Sequence, residues 1–234
     1  MVKERIKGDC MNISFASSGT VNYVWQNNLP SLNGSDVTIF GANGLGLVSY
    51  KKELCGETEY FQDVARLSRQ ISGVVVSGCD TDTYGVFRHS AVISDKGKIL
   101  GVSDMIYSLD DSEFIPGSGN RVYDTSKGKI GIIISDDLFF PEISESLSSQ
   151  NADLIICLFK KTDGYMPLTV ARALSYMCGV NFACVFGNVS FLCDIKGNVI
   201  SSNSPLFKAN TESEKEFRMV TLKKRGVYKD FGIT

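Results

Sequence analysis

Three polar residues, Ser135, Asp136 and Asp137, follow one another at the end of an apolar run in the segment GIIISDDLFFPE. A serine can act as a nucleophile when an adjacent base removes its proton, and a carboxylate could be that base. On a regular strand, however, Ser135 and Asp136 point to opposite faces and cannot form a direct pair. Asp137 comes two residues after Ser135 and would point to the same face of a strand, but it lies beyond the end of the strand. We expect the two carboxylates to serve a turn and a helix N-terminus, where they accept backbone N–H groups.

The other residue types that could do chemistry are scattered along the chain. The only histidine, His89, precedes a strand, and we interpret it as a structural or surface residue. Cys157 lies within an apolar strand and is expected to be a buried thiol, whereas a reactive thiol is an alternative for Cys79, in a hydrophilic segment after a strand. The glycine-rich residues 41–49 have the spacing G-x-x-G-x-G with no Lys-Ser or Lys-Thr after it, so they do not predict a phosphate loop.

Apolar, β-branched runs predict the strands that must position these residues. They cover residues 11–18, 36–42, 73–79, 90–102, 129–135, 152–159, 182–188, 190–202 and 217–223. Helices are predicted at about 57–70, 142–149 and 167–179. Continuous apolar runs indicate strands covered on both faces, whereas Lys-Gly and Gly-Asn turns indicate antiparallel hairpins. The β-structure is therefore predicted to be mixed.

The length of 234 residues and the hydrophobic content of 43% favour one α/β domain over residues 1–234. Within it we predict an N-terminal extension over 1–10, a polar loop over 203–216 and a C-terminal tail over 224–234. The 24 basic and 26 acidic residues give a net charge of -2, which gives no reason to expect a nucleic-acid partner.

Composition also bears on location and cofactors. No apolar run reaches the roughly 18 to 20 residues of a membrane span, and the charged start has no signal-peptide core. We therefore predict a cytoplasmic protein with no membrane partner. The seven cysteines include no C-x-x-C pair and most lie in apolar runs, so we predict neither a metal site nor a cofactor.

The order of these elements resembles the nitrilase superfamily of carbon–nitrogen hydrolases over roughly residues 11–223. In that family a strand ends in glycine, apolar residues and a catalytic cysteine, with an aspartate and a Pro-Glu pair following at set distances. The segment around Ser135 keeps this spacing, with Asp137, Pro141 and Glu142 in place, but Ser135 takes the cysteine position. The resemblance implies an αββα sandwich with mixed sheets, which usually pairs with a second sandwich.

Two further positions differ from the family pattern. Residues 35–47 are similar to the family's strand that ends in Phe-Pro-Glu, whose glutamate is the general base, yet Ala42 stands at the glutamate position. Aligning the flanking glycine and the Pro-Gly turn puts Met105 at the position of the family's lysine. No lysine lies between Lys98 and Lys127, so a shift of one or two residues recovers none.

The segments that would wall the site are short as well. Only about 18 residues separate the first two predicted strands, so the first helix is expected to be short or absent. The loop after Asn188 is also shorter than in the family, which should leave the pocket shallower or open.

As the resemblance implies, the family attacks an amide or nitrile with a thiolate, relays the proton through the carboxylate and holds the oxyanion with the ammonium. Losing a base alone costs about 10² to 10⁴ in rate. We therefore predict a catalytically inactive nitrilase- or amidase-like protein with a binding or assembly role, forming a homodimer or higher homo-oligomer. The predicted pocket residues are Ser135, Asp136, Asp137 and Asn43, and the predicted ligand is a small amide, amine or carboxylate.

Two alternatives remain open. One is an active carbon–nitrogen hydrolase of the amidase type, which uses Ser135 as a substitute nucleophile with a base from elsewhere. The other is a purely structural dimer with no ligand.

Overall fold

A computed structural model describes residues 10–109, 113–160 and 166–211. Its backbone forms two mixed β-sheets. In chain order the strands are β1 (Asn12–Ala16), β2 (Val37–Phe40), β3 (Leu47–Ser49), β4 (Val74–Thr83), β5 (Val86–Asp95), β6 (Lys98–Asp104), β7 (Val122–Thr125), β8 (Gly128–Ile134), β9 (Leu154–Phe159), β10 (Asn181–Phe186), β11 (Val189–Cys193), β12 (Val199–Ser202) and β13 (Leu206–Asn210).

The two sheets share one plan. The first has the order β13-β1-β2-β4-β5-β6, with β3 paired to β4, and the second has the order β12-β11-β10-β9-β8-β7. Strands β1, β2 and β4 run parallel in the first sheet, as do β8, β9 and β10 in the second. Antiparallel hairpins extend both sheets outward. Parallel strands place their carboxyl ends at one edge of the sheet, where ligands bind in open α/β sheets.

The helices are α1 (Val21–Asn28), α2 (Tyr50–Leu54), α3 (Tyr60–Ile71), α4 (Pro141–Ser149) and α5 (Met166–Cys178). Helix α1 begins after Thr20, whose side-chain oxygen accepts the N–H of Tyr23. Helix α4 begins at Pro141, where the missing N–H of proline costs nothing. The longest helix in the described part of the chain has 13 residues, well below the roughly 20 that a transmembrane helix needs.

The core lies between the sheets and continues under the helices on both outer faces. Inward-facing residues such as Ile39 and Ile156 form one apolar cluster between the two sheets. Helices α1 and α3 pack on the outer face of the first sheet, and α4 and α5 pack on that of the second. Both faces of the central strands are therefore buried, which is why their sequences are continuous apolar runs. The four layers form the αββα sandwich with mixed sheets that the sequence predicts.

The elements also confirm smaller predictions. The three predicted helices correspond to α3, α4 and α5, and the first helix is short, since α1 has 8 residues. The predicted strand over 190–202 is a hairpin of two strands, β11 and β12. The sequence did not predict strands β3 and β7.

The predicted loop over 203–216 is wrong for residues 206–210, which form β13. This strand pairs antiparallel with β1, and the Phe207 ring stacks on Phe15 with centroids 5.5 Å apart. Pairing satisfies the backbone groups along one side of β1, which would otherwise be a sheet edge. Residues 1–9 of the predicted extension, 212–216 of the loop, the predicted strand 217–223 and the tail 224–234 lie outside the described residues. That residues 1–234 form one domain stays a prediction.

Candidate functional site

Ser135 lies where the chain leaves the second sheet. β8 ends at Ile134, and Ser135 begins a 3-10 helix that runs to Phe139. Its φ of 48° lies in the left-handed region, which is uncommon for a residue other than glycine and costs roughly 1 to 2 kcal/mol. Ser135 is buried, and no hydrogen bond of its hydroxyl is found within the described ranges. Backbone strain of this kind clusters at functional sites. The left-handed conformation of Ser135 is therefore a feature that this turn shares with many active sites.

Asp136 and Asp137 hold the loop that follows β6. The Asp137 carboxylate accepts the N–H of Ile106 at 3.0 Å and that of Tyr107 at 2.7 Å, and Asp136 accepts the N–H of Leu109 at 3.0 Å. The carboxylates accept backbone N–H groups as predicted, but the prediction of their own turn and helix N-terminus as the source is wrong, because these N–H groups come from the distant loop after β6. Burial raises the pKa of Asp137 to about 7, although N–H groups of Tyr107 and Ile106 oppose the shift.

Met105 begins that same loop, and its side chain lies in the core. It is 2% exposed within the apolar cluster between the sheets, to which Ile134 also belongs and against which Ala42 packs. The Met105 N–H donates to the carbonyl of His89 at 2.8 Å. Ala42 and Met105, which the resemblance matches to the family's base and lysine, therefore contribute apolar surface to the same cluster as Ile134, the residue before Ser135.

A polar cluster that the sequence did not predict lies beside Ala42. His89 Nδ1 is 2.7 Å from Asp80 Oδ1, and Lys160 Nζ donates to Asp80 Oδ2 at 2.7 Å. The ring of Phe114 stacks on His89 with centroids 3.6 Å apart, and Lys160 Nζ lies 5.0 Å from the centroid of the same ring. Burial raises the pKa of Asp80, but hydrogen bonds from His89 and Lys160 bring it below its ordinary value, so Asp80 is a carboxylate at neutral pH.

The hairpin of β4 and β5 offers a signal for half of this cluster. Asp80 and His89 face each other in its register, so correct hairpin pairing would have brought them together. Lys160 follows β9, 80 residues from Asp80, and no local pattern connects them. The prediction of His89 as a structural residue is incomplete, because its imidazole is buried against a carboxylate.

Two cavities adjoin the cluster. The smaller, about 10 Å³, is lined by Ala42, Cys79, Asp80, His89, Ser90, Ile134, Leu158 and Lys160. It holds one water at most. The larger, about 350 Å³, is lined by residues 17–20, residues 41–44, Phe159, Lys160, Gly187 and Asn188. Of the predicted pocket residues, Asn43 lines the larger cavity, whereas Ser135, Asp136 and Asp137 line neither.

Cys79 and Cys157 are poor candidates for a reactive thiol, because both are buried in strands. Cys79 lies inside β4 rather than after a strand, and burial raises the pKa of its thiol, which disfavours the reactive thiolate. Cys157 is buried in β9 as expected. In the described ranges no three His, Cys, Asp or Glu side chains are grouped to hold a metal ion. That the protein uses no metal or cofactor stays a prediction.

Comparison with known proteins agrees with this architecture. The family model for carbon–nitrogen hydrolases matches residues 30–211. The chain therefore belongs to the carbon–nitrogen hydrolase family, within the nitrilase superfamily.

Individual relatives are distant. A Schizosaccharomyces pombe protein named as a probable nitrilase is 24% identical over 110 residues, which span 44% of this chain and 40% of the yeast protein. A carbon–nitrogen hydrolase structure from Helicobacter pylori has a TM-score of 0.73 at 18% identity, covering 98% of this chain and 100% of that one. Saccharomyces cerevisiae Nit3, described as a branch 10 member of the nitrilase superfamily, has a TM-score of 0.74 at 12% identity, covering 97% of both chains.

A variant of the amidase from Nesterenkonia sp. is similar as well. Its structure carries the acetamide moiety of fluoroacetamide on the active-site cysteine of that enzyme. The TM-score is 0.73 at 12% identity, covering 97% of this chain and 98% of that one. At such low identity these structures show the shared fold alone.

Proposed function

We propose that this chain is a catalytically inactive member of the family with a binding or assembly role. The observation that carries the proposal is the position of Ala42 and Met105. Both stand where the resemblance expects the general base and the lysine, and both pack in the apolar core. Neither side chain can accept a proton or stabilise an oxyanion.

The space around these positions supports the same conclusion. Ala42 lines both cavities, but the one that also touches Ile134, the residue before Ser135, is about 10 Å³ and too small for an amide substrate. The similar amidase has an active-site cysteine, and the resemblance matches Ser135 to the family's cysteine position. A serine hydroxyl is almost wholly protonated at neutral pH, so without a base it is a much weaker nucleophile than a partly ionised thiol.

An active hydrolase that uses Ser135 is the second candidate, and one observation favours it. His89 is oriented by Asp80 through its Nδ1, as the base of a serine triad would be, and it lines the same small cavity as Ile134, next to Ser135. No contact between His89 and Ser135 is found in the described ranges. Asp137 has a raised pKa, but its oxygens are occupied by N–H groups of the 106–107 loop.

Hydrolysis of an amide, nitrile and ester panel separates the two candidates. Wild type, Ser135→Ala and His89→Gln are assayed alongside a Nesterenkonia-type amidase as a positive control, with circular dichroism to verify folding. We expect all three proteins to show the same background rate. Turnover that both substitutions abolish in folded protein would establish the serine hydrolase and overturn the proposal.

Binding and assembly roles need a second measurement. A metabolite panel that raises the melting temperature of the wild type would support ligand binding over a purely structural role. We further propose a cytoplasmic homodimer, and the cytoplasmic location is consistent with the five buried cysteines, which suit a reducing compartment.

A further inference from the structure

The larger cavity opens where two parallel strands of each sheet end, β1 and β2 in the first sheet and β9 and β10 in the second. Residues 17–20 follow β1, residues 41–44 follow β2, Lys160 follows β9 and Asn188 follows β10. Both sheets therefore contribute to one concave site at the edge where α/β proteins bind small molecules. Its volume of about 350 Å³ is at the lower end of the usual range for ligand pockets. Ser135 is not among its lining residues, whereas Ala42 is.

The residues that line the larger cavity favour a negatively charged ligand over a positively charged one. Ser17, Ser18, Thr20, Asn43 and Asn188 supply neutral hydroxyl and amide groups. Lys160 is the only ionisable side chain among the described residues that line the cavity. The first turn of α1 adds the partial positive charge of a helix N-terminus beside Thr20. No carboxylate is among the described residues that line the cavity, so a positively charged ligand would find no ion-pair partner there.

The Lys160 ammonium is held in place by its neighbours. It donates to Asp80 and lies over the Phe114 ring, and its side chain is 30% exposed. Its other contact, at 3.3 Å, is with His89 Nδ1, an atom that lies nearer to Asp80 and donates to it in the matching tautomer. Within the described ranges the ammonium thus keeps N–H groups for a ligand. A fixed ammonium loses little conformational entropy on binding.

We propose that this cavity binds a small organic monoanion, a carboxylate whose oxygens accept from Lys160 and from the hydroxyls of Ser18 or Thr20. The inference rests on the proposed binding role and names its ligand class. Asp80 offsets much of the lysine charge, so a single negative charge is favoured over a phosphate dianion.

An isosteric trio of probes tests the ligand class. Butyrate, butyramide and butylamine, with inorganic phosphate as a fourth arm, are titrated against the full chain by ligand-observed NMR and calorimetry. We expect saturable binding of butyrate alone. Lys160→Met should weaken it about tenfold or more, because a hydrogen bond to a charged group is lost.

Two control variants distinguish the loss of the contact between Lys160 and butyrate from a change in net charge or in folding. Lys98→Met makes the same change of net charge at an exposed residue, the first of β6, and should leave butyrate binding unchanged. Because Lys160→Met leaves Asp80 with less compensation, the double variant Lys160→Met, Asp80→Asn removes both charges, and it should fold and still fail to bind butyrate.

Each other outcome overturns the inference. Butyramide, butylamine or phosphate binding as tightly as butyrate would show that the cavity does not select a carboxylate. Butyrate binding that survives in both Lys160 variants would remove the lysine from the site. If butyrate fails but other metabolites raise the melting temperature, the inference falls while the binding role stands. If nothing binds, the binding role falls with it.

Discussion

Met105, which the resemblance matches to the family's lysine, contributes its side chain to the apolar core. The side chain is almost fully buried among apolar residues from both sheets, and its backbone joins the loop to β5 through His89. The spacing of the sequence predicted Ala42, Met105 and Ser135 at the three family positions, and this assignment stays a prediction. It could not reveal Lys160 beside Asp80, because the two come from different sheets and only tertiary packing brings them together.

Restoring the family lysine at this position should therefore be costly. Met105→Lys puts an ammonium into an apolar cluster, and we expect a loss of at least about 3 kcal/mol in the free energy of unfolding. Met105→Leu keeps the volume and should cost less than about 1.5 kcal/mol. Urea unfolding of both variants measures the difference. A lysine variant as stable as the leucine variant would mean that an anion or water reaches this position.

At the scale of elements, the 3-10 helix after β8 and the loop after β6 are joined by two carboxylates. Sequence patterns predicted the long, regular elements, because continuous apolar runs and a 3.6-residue period are local signals. They did not predict this junction, because Asp137 and its partner Tyr107 are 30 residues apart. β13 was missed for a similar reason, since this five-residue strand lies in a largely polar stretch and pairs with β1 at the other end of the described chain.

The raised pKa of Asp137 predicts a pH dependence of stability. Between its ordinary value of about 3.8 and its folded value of about 7, the folded protein holds a proton that the unfolded chain releases. Asp137 therefore contributes most at low pH, and its contribution falls as pH rises toward 7, at up to about 1.4 kcal/mol per pH unit.

Urea unfolding of wild type and Asp137→Asn from pH 4 to 8 isolates this contribution. We expect the wild type to lose stability relative to the asparagine variant as pH rises, with the difference level above about pH 7. The opposite slope would mean that the N–H groups of Ile106 and Tyr107 outweigh burial and favour the ionised carboxylate.

Gly78 fixes how closely β4 approaches the segment after β2. A Cβ at this residue would lie 2.5 Å from the Ala42 Cα and carbonyl oxygen, which are backbone atoms and cannot rotate away. We expect Gly78→Ala to destabilise the protein by about 1 to 3 kcal/mol. Gly119→Ala is the matched control, because nothing lies within 4 Å of its Cβ, and it should change stability by less than about 0.5 kcal/mol. Equal stability of both variants in denaturant would contradict the close approach.

For the whole molecule, the sandwich buries the inner faces of its helices, and none of the residues that the structure describes covers the outer face of α5. Tyr176 and Met177 on this face are 55% and 49% exposed, and Ala173 lies one turn before them. Aromatic residues and methionine are enriched at protein interfaces, where they bury large area at low entropic cost. We therefore assign the contact of the proposed homodimer to this face, with a second copy of the chain as its partner.

Sedimentation equilibrium tests this assignment. We expect wild type to have twice the chain mass of 25.6 kDa and Tyr176→Asp to sediment as a monomer, because the carboxylate would be buried without a partner in the interface. Tyr84→Asp makes the same change at a site that is 74% exposed in the turn between β4 and β5, and it should remain a dimer. A monomeric wild type would refute the dimer itself. A dimer that persists in Tyr176→Asp would instead place the contact on another face of the sandwich.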